Sequence, residues 1–474
     1  MSAGPQKPTG NPLSVAQTPS PRPGSTMQYS SKHHVALIAI LTLLSVNGSA
    51  QTSSDEENRA RDAFIDWASE SALPMEKWKL GDAHTAYLDR AMGDKRIVFI
   101  GESDHGIHEK FDVQAMLIRH LASRGFTHVF YEGLGTGVAG AYDQLIQEGG
   151  NLESVFELPD ELSEIADADP SRFGRGRHRS SLWSPDLRQR SNSERAWLFA
   201  ELQAHNASRL DGQEALHLQP LDIDTRTHFC KASIDALLHG QHERSAVREL
   251  LELLPSEEGE TIASESKRLS ELRALSSRHE LDLRSLLGTQ AMDELQAAID
   301  CLTLSTEFLG LLESGNARTE ALRLRETFMF EQFARRFDAL PEDAKVVIIG
   351  HNMHLSKESD DLGYPFGETV GARITQAYPG EIFSLWVLFD RGRRYSQSSQ
   401  AQAEFLPSDP ERIESALVEA GETFLLPLHT GDERESYLDT PRTFHASFRK
   451  ITATITKQAD AFLFLDEVTE LQHR

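Results

Sequence analysis

The fold is decided by the stretch Ile97-Val98-Phe99-Ile100-Gly101-Glu102-Ser103-Asp104-His105-Gly106. Its first four residues form a short, entirely apolar run, which is typical of a strand buried on both faces of a parallel sheet. The glycine-containing turn that follows leads into a helical pattern near Phe111. Glu102, Asp104 and His105 therefore lie beyond the carboxyl end of a strand, where open α/β sheets bind ligands. An aspartate or serine at such a turn is also an ordinary helix N-cap.

Four further apolar runs predict strands, and a final α+β piece includes residues 424–426 and 460–466. Three of the four runs lead into acids or histidines that we assign to the site. Residues 127–131 are followed by Glu132, residues 216–221 by Asp222, and residues 345–349 by Gly350 and then His351. The fourth run covers residues 382–389. Residues 231–340 are rich in Leu, Ala, Glu and Arg with few helix breakers, which predicts a helical subdomain inserted between strands.

These patterns predict an α/β fold with a mostly parallel central sheet flanked by helices. The inserted helical subdomain is expected to form a cleft with that sheet. We expect the first part of the α/β core to cover residues 51–230, the subdomain residues 231–340, and the second part of the core residues 341–474.

Two other segments allow more than one interpretation. Residues 135–140 match the glycine pattern of dinucleotide-binding loops. No second apolar strand ending in an acid follows at the expected distance, so a tight turn that packs a helix on the sheet is favoured. Residues 172–190 hold six arginines, which indicates either a solvated loop or a mobile lid over the cleft.

The first fifty residues predict an export signal. Residues 1–26 are rich in Pro, Ser, Gly and Thr, which predicts a disordered extension, and Met27 is an alternative start of the protein. Residues 27–50 contain a positively charged start, an apolar run over 35–46 and Gly48-Ser49-Ala50. This order is typical of a cleaved signal peptide. We therefore expect a periplasmic or secreted protein whose mature chain begins near Gln51 and has no membrane attachment.

Composition excludes several classes of partner. The chain of 474 residues has a formal net charge of −25, which argues against nucleic acid and anionic membranes, since both require a basic face. Small molecules are favoured as ligands, and no protein partner is predicted. Cys230 and Cys301 have neither zinc-ligand nor redox-motif spacing. They could pair in an exported protein.

Parallel strands bring their carboxyl ends to one edge, so the acids and histidines after these strands are expected to form one site. Two chemistries fit this set. In the first, neutral His105 takes a proton from water, a carboxylate orients the imidazole, and a cation stabilises the developing oxyanion. In the second, His105, His351, His354 and the carboxylates bind a divalent metal that acidifies water. There is no HExxH and no G-x-S-x-G motif.

An ordered set of short motifs resembles the erythromycin esterase family. It consists of Gly101-Glu102-Ser103-Asp104-His105-Gly106, Tyr131-Glu132-Gly133, Leu221-Asp222, Arg325-Glu326-x-x-Met329 and Gly350-His351-Asn352-Met353-His354. The resemblance spans roughly residues 60–470. It implies an α/β core with a helical subdomain, and hydrolysis of a macrolide lactone by a water that a histidine activates, without a Ser or Cys nucleophile.

The resemblance also implies roles for single residues. His105 matches the family's general base, Glu102 and Glu132 match its active-site carboxylates, and His351 and His354 match its late histidine pair. Arg325 matches a motif arginine, with Glu326 where the family has Asp. We predict that His105, Glu102, Glu132, His351 and Arg325 are catalytic, and that His354, Asp104, Asp222 and Asn352 bind substrate. Gln114 departs from the resistance esterases, which tend to have Arg there.

The expected function is hydrolysis of a small-molecule ester or lactone, with macrolides and antibiotic resistance as one possibility. No cofactor is expected under this interpretation. A divalent-metal hydrolase on the same scaffold is the first alternative, and a non-catalytic protein that binds small molecules is the second.

Overall fold

A computed structural model gives the fold of residues 56–152, 155, 185–210, 212–223, 227–254, 262–314, 317–359, 362–363, 367–395, 403–428, 436–447 and 449–474. The predicted extension, the signal peptide and most of the arginine-rich segment lie outside these residues. Of two compact units, residues 1–59 and 60–474, the second contains every element described below.

The strands of the described chain are β1 Leu73–Pro74, β2 Ile97–Glu102, β3 Phe126–Tyr131, β4 His217–Pro220, β5 Lys345–His351, β6 Ile382–Tyr395, β7 Ala403–Leu406, β8 Thr423–Pro427, β9 Arg442–Ala446, β10 Arg449–Ala453 and β11 Ala461–Val468. Nine of these form one sheet in the order β1-β8-β11-β6-β2-β5-β3-β4, with β7 paired to β6. Strands β11, β6, β2, β5, β3 and β4 are parallel to their neighbours in that order. Strands β8, β1 and β7 add antiparallel pairs, and β9 and β10 form a separate hairpin.

Helices cover both faces of the sheet. Residues 60–71 are helical. The other α-helices are Asp82–Met92, Glu109–Ala122, Thr136–Glu148, Pro185–Ala207, Thr227–Leu238, Ser245–Leu253, Ile262–Arg278, Glu280–Leu287, Thr289–Glu313, Arg318–Phe337, Val370–Ala377, Ile413–Ala420 and Ile455–Gln458, and Ser436–Asp439 is a 3₁₀-helix. The structure confirms the predicted α/β class with a mostly parallel sheet.

Strand β2 lies at the centre of the sheet and is buried along its whole length. Successive side chains of a strand point to opposite faces. Val98 and Ile100 accordingly join one apolar core, while Ile97 and Phe99 join another. An all-apolar run is required here because neither face of a central parallel strand meets water.

The helices between β4 and β5 have an apolar core of their own, which includes Leu250, Leu272 and Leu302. Thr289–Leu312 is long and apolar enough to cross a membrane, but 61% of its apolar window is buried. Cys230 and Cys301 are buried there, and their sulfur atoms lie 2.8 Å apart. The boundaries 231 and 340 stay predictions, although the first of these helices begins at Thr227.

Helix Arg318–Phe337 contributes to two cores. Phe328 packs among the helices between β4 and β5, while Met329 and Phe333 belong to a core that includes β2 and β5. Arg325 lies on the first half of this helix. The helix therefore carries a cation to the sheet edge from a segment distant in sequence.

Candidate active site

The register of the central strands aligns the predicted site residues. Glu102 of β2 lies opposite His351 of β5. The amide of Glu132, directly after β3, donates to the carbonyl of Ile349 over 2.9 Å. The amide of His351 in turn donates to Glu132 Oε2 over 2.6 Å. Three parallel strands thus bring two acids and a histidine to one edge.

Glu102 and His105 form the first pair of the site. Glu102 Oε1 lies 2.6 Å from His105 Nδ1, and the histidine side chain is 27% exposed. Lys110 Nζ donates to the same oxygen over 2.8 Å, and Gln114 Nε2 donates to Oε2 over 2.9 Å. Burial alone would raise the pKa of Glu102, but Lys110 and His105 outweigh it and lower that pKa to about 2. The carboxylate is therefore ionised at neutral pH.

Arg325 joins two further acids. Its Nε donates to Asp222 Oδ1 over 2.8 Å, its Nη2 donates to Asp222 Oδ2, and Nη2 also donates to Glu132 Oε1 over 2.7 Å. Burial would raise the pKa of Glu132, but His354 and Arg325 hold it well below its usual range. The planar guanidinium thus orients both carboxylates, as a lysine could not.

His354 lies between charged groups. Its Nδ1 is hydrogen-bonded to Glu326, its Nε2 lies 3.0 Å from Arg325 Nη1, and Glu132 Oε1 is 3.4 Å from Nε2. Burial lowers the pKa of this imidazole, but Glu326 and Glu132 prevail and raise it above its ordinary value. Glu326 also accepts from the amide of Val370 over 2.8 Å.

The imidazole of His351 is neutral, and both of its nitrogens are hydrogen-bonded to protein atoms. Its Nδ1 accepts from the amide of Met353 over 3.2 Å, so the proton lies on Nε2, which is 2.8 Å from Ser447 Oγ and 3.1 Å from the carbonyl of Ser103. Burial and the neighbouring His105 lower the pKa of His351 to about 3. Its ring centre is 4.9 Å from that of His105. The two rings therefore lie in contact, and the predicted catalytic role of His351 stays a prediction.

A cleft of about 180 Å³ opens beside these groups. Of the predicted residues, Glu102, His105, Glu132 and Arg325 line it. The other lining residues are Lys110, Phe111, Tyr131, Gly133, Ser191, Arg195, Ile349 and Gly350. His351, His354 and Asp222 are not among the lining residues. They are bonded to Ser447, to Glu326 and to Arg325 respectively.

Asp104 and Asn352 lie outside the lining. Asp104 Oδ1 accepts from the amide of Gly106 over 2.7 Å, and Oδ2 binds Arg394 and lies 3.0 Å from His445 Nε2. Asn352 is fully buried against Gly101, where an added Cβ would come within 2.2 Å of its Oδ1. Asp104 thus bonds within the turn after β2 and Asn352 packs on Gly101, and their predicted substrate contacts stay predictions.

Sequence reasoning missed several lining residues. Lys110 comes four residues after the first motif, so its place at the start of the next helix was a usable signal. Tyr131 ends β3 immediately before Glu132 and offered a similar one. Ser191 and Arg195 come from helix Pro185–Ala207, and nothing in their local sequence indicates the cleft.

The described residues contain no group of three His, Cys, Asp or Glu side chains placed to hold a metal ion together. The hydrogen bonds explain this for the histidine pair. His351 uses both ring nitrogens on protein atoms, and His354 is bonded to Glu326 and Arg325.

Comparison with known sequences gives one family and one curated relative. The family model described as erythromycin esterase matches residues 185–468, more than half of the chain. The protein named "Putative hydrolase YbfO" from Bacillus subtilis (strain 168) is 21% identical over 457 residues, which cover 91% of this chain and 96% of that protein.

Three solved structures share the fold. A Bacillus cereus protein superposes with a TM-score of 0.68 at 16% identity, covering 87% of this chain and 99% of its own. A succinoglycan biosynthesis protein superposes with a TM-score of 0.66 at 15% identity, covering 87% of this chain and 99% of its own. A mutant of the erythromycin esterase EreC, in its open conformation, superposes with a TM-score of 0.58 at 15% identity. It covers 84% of this chain and 97% of its own.

Proposed function

Because the chain belongs to the erythromycin esterase family, we propose that it hydrolyses carboxylic esters with a water molecule that His105 activates. The general class is a hydrolase of this family. The ester bond, the activated water and a macrolide lactone as one substrate are the parts proposed here. The observation that carries the proposal is the 2.6 Å contact between His105 Nδ1 and the ionised Glu102 at the cleft.

That contact determines which nitrogen can act as a base. An ionised carboxylate only accepts, so His105 donates from Nδ1 and keeps the lone pair on Nε2. Nε2 takes a proton from water as the water oxygen attacks the ester carbonyl. The tetrahedral intermediate then expels the alcohol oxygen, which receives the same proton from the imidazolium. One ester and one water yield one acid and one alcohol.

The cation beside the reacting carbonyl is Arg325. A guanidinium stays charged at every relevant pH and stabilises a developing oxyanion best when it is already held in place. Asp222 and Glu132 hold Arg325 by three hydrogen bonds, so little reorganisation is needed during the reaction. Removal of this charge would affect the transition state more than the bound ester.

The test is the purified protein incubated with a panel of macrolides and simple esters, with products read by mass. A lactone gains the mass of one water, and a simple ester yields its acid and alcohol. We expect His105→Asn, checked for folding by circular dichroism, to lose about 10² to 10⁴-fold in rate. His217→Asn is the matched control, because His217 pairs with Asp143 over 3.4 Å but does not line the cleft.

Three outcomes would contradict the proposal. The first is undiminished turnover by folded His105→Asn. The second is activity that dialysis against a chelator abolishes and a divalent metal restores, which would indicate metal-activated water. The third is tight binding of panel compounds without turnover of any of them, which would indicate a binding protein.

A further inference from the structure

Two neighbouring residues of helix Glu109–Ala122 hold the carboxylate of Glu102 from one side. Lys110 and Gln114 are four residues apart and so share a helix face. Lys110 donates to Oε1 over 2.8 Å and Gln114 donates to Oε2 over 2.9 Å. The remaining contact of Oε1 is the 2.6 Å bond with His105 Nδ1. Every partner of this carboxylate in the described structure is therefore a side chain within twelve residues of it.

Lys110 and Glu102 are desolvated together. Their side chains are 6% and 5% exposed, respectively. A carboxylate at such a depth stays ionised only when an opposite charge compensates the loss of water. Gln114 contributes a neutral amide and cannot supply that charge. The ammonium of Lys110 can.

The titratable groups that face Glu102 from other strands do not supply the charge either. Tyr131 of β3 is buried, and burial raises the pKa of its phenol, which is therefore neutral. His351 of β5 is neutral as well, because burial and His105 lower its pKa to about 3. His105 itself must be neutral to act as a base. Arg195 and Arg325, from two other helices, are permanent cations that line the same cleft. Lys110 is the cation that donates to this carboxylate, over 2.8 Å.

We infer that Lys110 is a positioning residue of the reaction: its ammonium keeps Glu102 ionised, and the ionised carboxylate keeps the proton of His105 on Nδ1. This inference rests on the proposed function. Without the ammonium, the carboxylate of Glu102 becomes protonated at a higher pH than it does in the parent protein. Its O–H group then donates to Nδ1, the imidazole carries its own proton on Nε2, and no lone pair remains for the water.

The experiment compares Lys110→Met with the parent protein in two measurements. The first is the pH dependence of hydrolysis of an ester that the parent cleaves. We expect a rate loss of at least about tenfold near neutral pH, since the wrong tautomer costs up to roughly 10⁴-fold in Ser-His-Asp enzymes. The loss should diminish as pH rises, because Glu102 regains its charge there.

The second measurement does not require substrate. Nitrogen NMR of histidine-labelled protein distinguishes the two tautomers, and His105→Asn assigns the His105 signals. We expect the Nδ1-protonated form in the parent and a shift toward the Nε2-protonated form in Lys110→Met at moderately acidic pH. If no ester is cleaved by the parent, the proposed function fails, while this measurement still tests the role of Lys110.

Two rescue variants and one control complete the design. Lys110→Arg keeps the charge, and the double variant K110M/Q114K moves the ammonium to the position from which Gln114 reaches Oε2. Both should restore the parent pH profile and tautomer. Lys357→Met is the control: it removes another largely buried ion pair, in which Lys357 Nζ lies 2.9 Å from Asp460 Oδ1. It should change neither the pH profile nor the His105 tautomer.

Either of two results would overturn the inference. One is a folded Lys110→Met protein with the parent pH profile and the parent tautomer. The other is a rate loss that is uniform across pH and is not restored by Lys110→Arg, which would show that Lys110 acts through packing alone.

Discussion

At the level of single residues, Arg325 shows how one side chain organises several others. It makes hydrogen bonds to Asp222 and Glu132 and lies 3.0 Å from His354 Nε2. Its side chain is 16% exposed, so each of these ionic contacts is largely protected from water. A planar fork is needed, because a single ammonium cannot meet three acceptors in fixed directions.

We expect Arg325→Lys to keep the positive charge but lose the planar set of guanidinium donors, so Glu132 and Asp222 are no longer held by one side chain. Turnover should fall by roughly 10-fold or more while the protein still folds, since such substitutions are not conservative at bidentate sites. The measurement is the rate and melting temperature beside Arg335→Lys, an exposed arginine of the same helix that lies 3.6 Å from Asp300. Full turnover by folded Arg325→Lys or Arg325→Ala would contradict a role in the reaction.

His351 makes stability depend on pH in a defined direction. Its pKa is about 3 in the folded protein against an ordinary value of 6.5. Between these values the unfolded chain binds a proton that the folded chain does not. The contribution of His351 to the free energy of unfolding therefore falls as pH drops below 6.5, by up to about 1.4 kcal/mol per pH unit.

His351→Gln should remove this contribution, and denaturant unfolding at pH 6.5, 5.8 and 5.0 measures it. Glu102, whose pKa is lowered to about 2, loses its contribution only below its ordinary value of 4.5, so it does not interfere. An identical decline with pH in both proteins would show that His351 is not the residue responsible.

At the level of elements, the close packing of β3 against β5 depends on Gly350. A Cβ at this position would lie 2.9 Å from Glu132 Oε2 and 3.2 Å from its Cβ. The same oxygen accepts from the amide of His351. The absence of a side chain at 350 therefore lets the acid bond to the neighbouring strand.

Gly350→Ala should displace Glu132, lower stability by about 1 to 3 kcal/mol and reduce turnover. The matched control is Gly140→Ala in helix Thr136–Glu148, where an added Cβ meets nothing within 4 Å. Alanine is favoured there by up to about 1 kcal/mol. Equal melting temperatures for Gly350→Ala and the parent would refute this account of the strand contact.

At the level of the whole molecule, helices on both faces of a mostly parallel sheet leave one edge for chemistry. Motifs from residues 102–105, 132, 325 and 351–354 meet there although more than two hundred residues separate the first from the last. The helices between β4 and β5 contribute Arg325, and helix Pro185–Ala207 contributes Ser191 and Arg195. The cleft is thus assembled from segments that are unrelated in sequence.

We propose that the protein is exported and that its mature chain begins near Gln51. The supporting pattern is the apolar run over residues 35–46 followed by Gly48-Ser49-Ala50. N-terminal sequencing of protein from the periplasm or medium measures the cleavage position. Recovery of the whole protein from the cytoplasm with residues 35–46 intact would contradict export.

The sequence by itself predicted the five parallel strands β2 to β6, the family, and one sheet edge where the polar residues meet. Apolar runs such as residues 97–100 and 345–349 are local signals, and their burial in the sheet follows from composition alone. The polar residues after those runs had to share one edge, because parallel strands end on the same side. The α/β class and the family resemblance are both confirmed.

Only the tertiary structure decided which polar side chains pair with one another. Asp104 follows the same strand as Glu102, yet it binds Arg394 and His445, which lie 290 and 341 residues away. Lys110 reaches Glu102 only because the helix after β2 presents that face to the sheet edge. Strand formation depends on local periodicity, whereas an ion pair depends on distances that strand register and helix rotation fix after the chain has folded.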